Sequence, residues 1–215
     1  MEDPPWNRWR HDVFGDPYTV WHEGPEYSRL IELAGTAPAD VARMLAAGLD
    51  AQDSLAAQSI AALAGEGPAP QDAEALLRAA LAGATEEFLV RVAQALHVVT
   101  GDEAWAGPVA SVLTSDASWG VRLDAARVLE EFTPTTELIG TLAEGVRDED
   151  YLVRYHSANT LLRYAGRRNG VADHHTLFDK VASPPEGDAT ETDRDKWRQA
   201  ADQLTALASP RTTGG

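Results

Sequence analysis

A short apolar motif returns four times along this chain at intervals of about 32 residues. It reads AQSIAAL, VRVAQAL, VRLDAARVL and VRYHSANTLL, and its second position holds Gln58, Arg91, Arg122 and Arg154, at intervals of 33, 31 and 32 residues. A period of this length is typical of chains built from small supersecondary elements, each of which buries its apolar face against the next. The repeat therefore constrains the fold more than any other feature of the sequence.

Each repeat contains two segments with apolar residues at helical spacing. The motif is the second segment, an Ala- and Leu-rich segment precedes it, and clusters of Gly, Pro or Thr follow it, as expected where helices end. No stretch shows the sustained alternation of a half-buried strand, so we predict an all-α chain. Two helices in each of four to five repeats predict an α-solenoid, with repeats at 37–66, 71–101, 103–133, 135–167 and 170–208. In the weaker fifth repeat the motif centres on Arg198, and the loop 183–193 looks inserted.

The two ends of the chain depart from the repeat. Residues 1–36 form a segment broken by Pro and Gly and rich in aromatic residues, namely Trp6, Trp9, Phe14, Tyr18, Trp21 and Tyr27. We expect these side chains to cap the apolar face that a terminal repeat leaves open. The alternative is a projecting arm that binds a partner. The tail 209–215 is expected to be disordered.

The pattern D-x-x-x-x-V-R-x-x-x-A-x-x-L is complete in the third and fourth repeats. It resembles HEAT repeats, most closely their short bacterial form, over about residues 37–166. The resemblance implies second helices that line a concave face, and a ladder of Asp–Arg contacts between neighbouring turns. The ladder residues would be Asp116, Arg122, Asp148, Arg154 and Arg91. The first two repeats depart from the pattern, since Gln52 and Thr85 stand where the aspartate is expected.

Four side chains of the fourth repeat remain once its core and ladder positions are assigned. The buried stripe is predicted to be Val153, Ala158 and Leu161, and the outward row is then Tyr155, His156, Asn159 and Arg163. The equivalent row of the third repeat is Leu123, Asp124, Arg127 and Glu131. On a concave face these rows would lie side by side, and their mixture of Tyr, Arg, His and acids is typical of a protein-binding surface. The alternative is an ordinary solvated helix face.

The charge distribution favours a basic partner. The net charge is −16, and residues 1–150 hold 9 basic and 26 acidic residues, whereas residues 151–215 hold 9 and 8. So acidic a surface repels nucleic acid, because nucleic-acid binding requires Lys and Arg against the phosphates. It attracts and steers a basic protein. A second interpretation is that the acidity only maintains solubility.

Composition and terminus predict a cytoplasmic monomer without membrane contact. The sequence has no cysteine and no apolar run long enough to cross a bilayer, and its N-terminal residues lack the basic and apolar regions of a secretory signal. Sixteen Arg against two Lys, together with abundant Ala, indicate a high-GC bacterial source.

The polar clusters form no catalytic or metal-binding pattern. His156 and Ser157 are adjacent on a helix and point about 100° apart, so they do not form a base–nucleophile pair. Asp173, His174 and His175 lack the further convergent ligands that a metal site requires. We therefore predict no catalytic residue, no metal and no cofactor.

These features together predict a non-catalytic module that binds another protein. Small bacterial HEAT-like proteins often resemble immunity proteins, which suggests an acidic inhibitor of a basic toxin such as a nuclease. The alternative is a HEAT-like enzyme or accessory factor that uses the groove. The acidic charge disfavours a role like that of the HEAT-like alkylpurine DNA glycosylases. The deoxyhypusine hydroxylases use several His-Glu dipeptides for iron, and this chain has a single one. No residue specifically indicates a phycobilin lyase.

Overall fold

The structure, a computed structural model, describes residues 5–184 and 187–209, with the side chain of Trp21 left aside. These residues form thirteen α-helices and three 3₁₀ turns and contain no strand, which confirms the all-α prediction. The helices belong to two compact units: Trp105 ends the N-terminal unit and Ala106 begins the C-terminal unit. Apart from Ser209, the predicted disordered tail lies outside the described residues.

The N-terminal unit contains seven helices. They are α1 (Pro5–Phe14), α2 (Pro17–Glu23), α3 (Ser28–Thr36), α4 (Pro38–Asp50), α5 (Ser54–Glu66), α6 (Ala73–Leu81) and α7 (Glu86–Thr100), followed by a 3₁₀ turn at Glu103–Trp105. Helix α4 packs against α5 and α6 against α7, and the largest helix–helix contact joins α5 to α7. The second helices of two successive repeats are therefore neighbours in this unit.

The C-terminal unit contains the other six helices. They are α8 (Ala106–Leu113), α9 (Trp119–Val128), α10 (Thr136–Gly145), α11 (Tyr151–Tyr164), α12 (His175–Val181) and α13 (Glu191–Ala208), with 3₁₀ turns at Leu129–Glu131 and Val171–Asp173. Helix α9 packs against α11, α11 against α13, and α8 against α10. Side chains of α11 also bind carbonyl oxygens at the end of α9: Thr160 Oγ1 donates to Ala126 at 2.9 Å and Tyr164 Oη donates to Leu129 at 2.5 Å.

The acidic and hydroxyl residues in the turns serve as helix caps. Asp53 and Asp150 accept hydrogen bonds from the first backbone N–H groups of α5 and α11, and Thr135 caps α10. Thr190 and Asp193 form a reciprocal capping box on α13. At the other end of a helix, Gly101 takes a left-handed conformation with φ +68 and ends α7.

The N-terminal aromatic residues pack onto α3 and α4. The Trp6 side chain is buried, and its indole N–H donates to Asp53 Oδ2 at 2.8 Å. Arg10 donates to the same oxygen at 2.9 Å, so one carboxylate joins α1 to the α4–α5 turn. The rings of Trp9 and Phe14 continue the cluster, with a centroid distance of 6.2 Å. Helix α1 is thereby held against the helices that follow it.

Two glycines allow close helix–helix contacts. A Cβ on Gly48 of α4 would lie 2.7 Å from the Ala56 Cβ and 2.8 Å from the Trp6 ring. A Cβ on Gly145 of α10 would overlap the hydroxyl of Ser157 on α11. Both glycines lie near the end of the first helix of a repeat, so neither first helix accommodates a side chain there.

Candidate functional site

Arg122 and Asp148 form a two-point ion pair between neighbouring turns of the C-terminal unit. The guanidinium Nε and Nη2 donate to the two carboxylate oxygens at 2.8 and 2.9 Å, and Nη1 donates to the Ala117 carbonyl. The side chains are only 18% and 12% exposed, and the hydrogen bonds to Asp148 raise the pKa of Arg122. Asp116 adds a Coulombic attraction to the same guanidinium. The pair fastens the start of α9 to the α10–α11 turn.

Arg154 stands at the repeat position of Arg122 but makes different contacts. Its side chain is buried, and the guanidinium carbon lies 4.0 Å from the centre of the Trp197 ring. It donates to four backbone carbonyls at 2.8–3.2 Å, those of Asp148, Glu149, Val181 and Ser183. Burial lowers the pKa of Arg154, although the charge of Asp148 opposes this shift. Arg154 therefore joins chain segments through their backbone and is not a rung of an Asp–Arg ladder.

The N-terminal unit joins its turns in another way. Gln52 Nε2 donates to the Gly83 carbonyl at 2.9 Å, across 31 residues. Arg91, which was assigned to the ladder, donates to Gln94 of its own helix at 3.2 Å. The departure of the first two repeats from the aspartate pattern thus corresponds to a neutral, amide-mediated turn contact.

The two outward rows predicted for α9 and α11 are only partly exposed. Leu123, Asp124, Tyr155 and His156 are half-buried, whereas Arg127, Glu131 and Arg163 are exposed. Helix α9 ends at Val128, so Glu131 lies in the 3₁₀ turn and not on the regular helix face. Arg163 Nε lies 3.5 Å from a carboxylate oxygen of Glu130.

Asn159 has a structural role that the sequence analysis did not predict. Its side-chain oxygen accepts a hydrogen bond from the Val171 N–H at 2.8 Å, and a Cβ on Gly170 would lie 3.1 Å from the same oxygen. The Asn159 side chain therefore holds the segment between α11 and α12 against α11. Its assignment to a partner-binding row stays a prediction, since the side chain is only half-buried.

His156 lies in a mixed electrostatic environment on α11. Burial lowers its pKa, and the positive charge of Arg127 lowers it further, while Asp124 and Glu130 oppose the shift. Its ring meets the Tyr155 ring edge-on at a centroid distance of 5.4 Å. The neutral imidazole is thus favoured by the fold.

Two aromatic residues that the outward rows did not include extend those rows to the start of α9 and α11. Trp119 and Tyr151 are the first residues of these packed helices, at equivalent repeat positions, and remain 51% and 37% exposed. One turn further along lie Leu123 and Tyr155, and the rings of Tyr151 and Tyr155 are 5.8 Å apart. We call these four residues the α9–α11 ridge. The sequence signal was present, because the predicted apolar stripe begins only two residues later, at Val121 and Val153, of which Val153 is buried and Val121 half-buried.

The apolar stripe predicted for the fourth repeat is buried on α11. Val153, Ala158 and Leu161 are fully buried. Beside it, Leu152 is 38% exposed next to Tyr151 and widens the apolar surface at the start of α11.

A polar cluster organises the loop before α13. Ser183 donates to Asp193 Oδ1 at 2.5 Å, and Lys196 donates to the Ser183 hydroxyl at 2.8 Å. Hydrogen bonds from Ser183 and Thr190 lower the pKa of Asp193. Ser183 is buried, with 3% of its surface exposed, so the cluster stabilises the loop and does not present a nucleophile.

Membrane-spanning helices and metal-ligand clusters are both absent from the described residues. None of their helices combines the length and the apolar character needed to cross a bilayer. Within the same ranges, no three His, Cys, Asp or Glu side chains converge as metal ligands would.

Comparison with known proteins assigns no family. No family model matches the chain, and neither a curated protein nor a solved structure is significantly similar to it. The candidate site therefore consists of the α9–α11 ridge and the charged residues beside it, as the geometry alone defines them.

Proposed function

We propose that this protein is a non-catalytic α-solenoid of HEAT-like repeats whose function is to bind another protein. The 32-residue period and the V-R-x-x-x-A-x-x-L pattern support the repeat assignment. So does the packing within each unit, where second helices of successive repeats lie against each other, α5 against α7 and α9 against α11. Solenoids of stacked helical hairpins commonly bind a partner on an extended concave surface.

The observation that carries the proposal is the α9–α11 ridge. Trp119 and Tyr151 are exposed at equivalent positions of two packed helices, although an apolar side chain there contributes little to the core. Large aromatic residues combine apolar area with a polar edge and supply much of the binding energy at protein interfaces. The neighbouring Asp124, Arg127 and Arg163 would form a polar rim.

The charge of the chain favours a basic partner. Residues 1–105 hold 6 basic and 17 acidic residues, and residues 106–215 hold 12 and 17. Both units are therefore acidic, and the N-terminal unit carries the larger excess. A field of this sign raises the association rate with a cationic protein and opposes association with nucleic acid.

A specific role that fits these properties is inhibition of a basic toxin. An acidic protein that covers a cationic active site, such as that of a nuclease, would exclude the anionic substrate while attracting the enzyme itself. In this role the protein acts as a cytoplasmic monomer and as an immunity protein in bacteria.

Affinity capture with matched variants tests the proposal. The tagged chain, a Trp119→Ala/Tyr151→Ala double variant and a Tyr18→Ala control are incubated with lysate of the source cells, and captured proteins are quantified by mass spectrometry. Tyr18 is a suitable control because it is an aromatic residue that is 68% exposed in the other unit. We expect the wild type and the control to enrich the same basic protein, and the double variant to lose it by about tenfold or more.

The salt dependence of capture tests the electrostatic part separately. Enrichment of the partner should decrease as ionic strength rises from about 0.1 to 0.5 M, because screening weakens long-range attraction. Equal capture by the double variant would show that the ridge is not the interface. A captured partner that is acidic, or insensitive to salt, would exclude the electrostatic mechanism.

A further inference from the structure

A second site lies in the C-terminal unit, in a cavity that shares no residue with the α9–α11 ridge. The cavity has a volume of about 530 Å³ and is formed by the end of α11, the start of α12 and the end of α13. This volume is within the range of small-molecule sites in proteins. Its walls combine apolar and polar side chains, chiefly Leu162, Leu177, Leu207, Arg167, His174 and Gln203.

The polar lining is cationic or neutral. Arg167 is exposed at the cavity and forms no ion pair with any residue that the structure describes. His174, His175 and Gln203 add two imidazoles and an amide, and none of the described residues contributes a carboxylate to the walls. In a chain with a net charge of −16, the cavity thus offers a free guanidinium without a competing acid.

One lining residue carries an unused hydrogen-bonding atom. Nε2 of His174 is buried and has no hydrogen-bond partner among the described residues. Buried polar atoms normally have partners, so this nitrogen is an exception. It is closed to solvent, and His174 therefore contributes to the cavity wall through its other atoms.

The apolar wall restricts which anion would fit. Leu177 is nearly buried, and Leu207 lies at the end of α13 with 47% of its surface exposed, although it belongs to the cavity wall. A ligand body that covers these two side chains removes apolar surface from water. The single arginine matches a monoanion, and its planar fork matches a carboxylate in a two-point hydrogen bond. A dianionic phosphate would leave one charge without a cation.

We propose that this cavity binds a carboxylate carried by an apolar group, with Arg167 holding the carboxylate and the leucines covering the apolar part. Two sources supply this chemistry: a small organic acid and the C-terminal residue of a peptide chain. In both, the amide of Gln203 in the cavity wall would bind the remaining polar atoms. This site is independent of the proposed partner interface.

Titrations of the full-length protein followed by ¹H–¹⁵N NMR test the ligand class. The probes are N-acetyl-leucine and its neutral match N-acetyl-leucinamide, together with acetate, which lacks the apolar group. We expect saturable shifts of amides around His174, Leu177 and Gln203 with N-acetyl-leucine only. Equal binding of the acid and the amide, or shifts that map away from this cavity, would overturn the proposal.

Two more arms identify the source and the residues. A pentapeptide that ends in leucine, with a free or an amidated C-terminus, distinguishes the two sources. If the free peptide binds more tightly than N-acetyl-leucine, the natural ligand is a chain terminus. If the peptide does not bind and N-acetyl-leucine does, the natural ligand is a small acid.

Arg167→Gln should weaken binding of N-acetyl-leucine by about tenfold or more, since a charge-assisted hydrogen bond is lost. Arg168→Gln is the matched control, because this neighbouring exposed arginine does not line the cavity. Identical affinities of the two variants would refute the role of Arg167.

A variant of the wall completes the test. Leu207→Asp places a negative charge beside the proposed carboxylate and removes apolar contact, and it is tolerated by the fold because the residue is largely exposed. It should abolish binding of N-acetyl-leucine. Retained affinity would show that the ligand does not use this wall.

Discussion

Replacing Gly145 by alanine tests how closely α10 approaches α11. The added Cβ would overlap the Ser157 hydroxyl and lie 3.0 Å from the Ser157 Cβ and 3.3 Å from a methyl group of Leu113. Rotation of the serine hydroxyl would relieve the first overlap, but the Cβ belongs to the helix frame and cannot move away. Ser157 is fully buried, so the two helices must separate locally or distort.

The magnitude follows from two opposing contributions. Overpacking of a buried contact costs about 1–3 kcal/mol. Alanine in place of glycine favours the helix by up to about 1 kcal/mol, and by less here because Gly145 is the last residue of α10. The net effect should be a loss of about 1–2 kcal/mol in the free energy of unfolding.

Urea-induced unfolding followed by circular dichroism measures this loss, and the same helix provides the control. A Cβ on Gly140 meets no atom within 4 Å, so Gly140→Ala should stabilise the protein by up to about 1 kcal/mol. A double-mutant cycle with Ser157→Gly should show that the penalty is specific to this pair. If the two variants had the same free energy of unfolding, the described close contact between α10 and α11 at Gly145 would be contradicted.

Three further variants examine the contacts that hold each unit together. Arg122→Ala should destabilise the protein by about 1–3 kcal/mol in thermal melts, because it leaves the mostly buried Asp148 carboxylate without its two charge-assisted bonds; an unchanged melting temperature would contradict the contact. Trp6→Phe keeps most of the ring but removes the N–H donor to Asp53, and should cost about 1–3 kcal/mol in urea. The fold lowers the pKa of His156 below 6.5, so the unfolded chain takes up the proton first as the pH falls, and the free energy of unfolding should decrease below about pH 6.5. In the His156→Gln variant the free energy of unfolding should fall less over the same pH range. Identical pH profiles of the variant and the wild type would show that His156 does not cause the effect.

The helices were predictable because their signals are local. Apolar spacing placed helical segments between Gly-, Pro- and Thr-rich turns, and the structure has helices in each of them. The acids of RDED at 147–150 likewise had a local meaning: Asp150 caps α11, and Asp148 binds Arg122. Such short-range patterns depend on residues a few positions apart, so a single sequence contains them.

The side-chain contacts were less predictable where they join distant segments. Asn159 and Arg154 looked like an outward and a ladder residue, yet both also bind the distant segment 171–183, and Arg154 packs on Trp197 as well. No periodicity links these positions to α11. Trp119 and Tyr151 differ, since their position ahead of the buried stripe was visible in the sequence and was assigned no role.

The contacts of Arg154 have a consequence for the way the C-terminal unit opens. A single guanidinium joins the α10–α11 turn to the segment after α12 and to the ring of Trp197 on α13. Detaching α12 and the residues after it would break hydrogen bonds of this buried cation, and detaching α13 would remove the Trp197 ring that covers it. Fraying of the C-terminal helices is therefore coupled to loosening of α11. In hydrogen exchange, the amides of these helices should therefore exchange as one cooperative group with a common opening free energy.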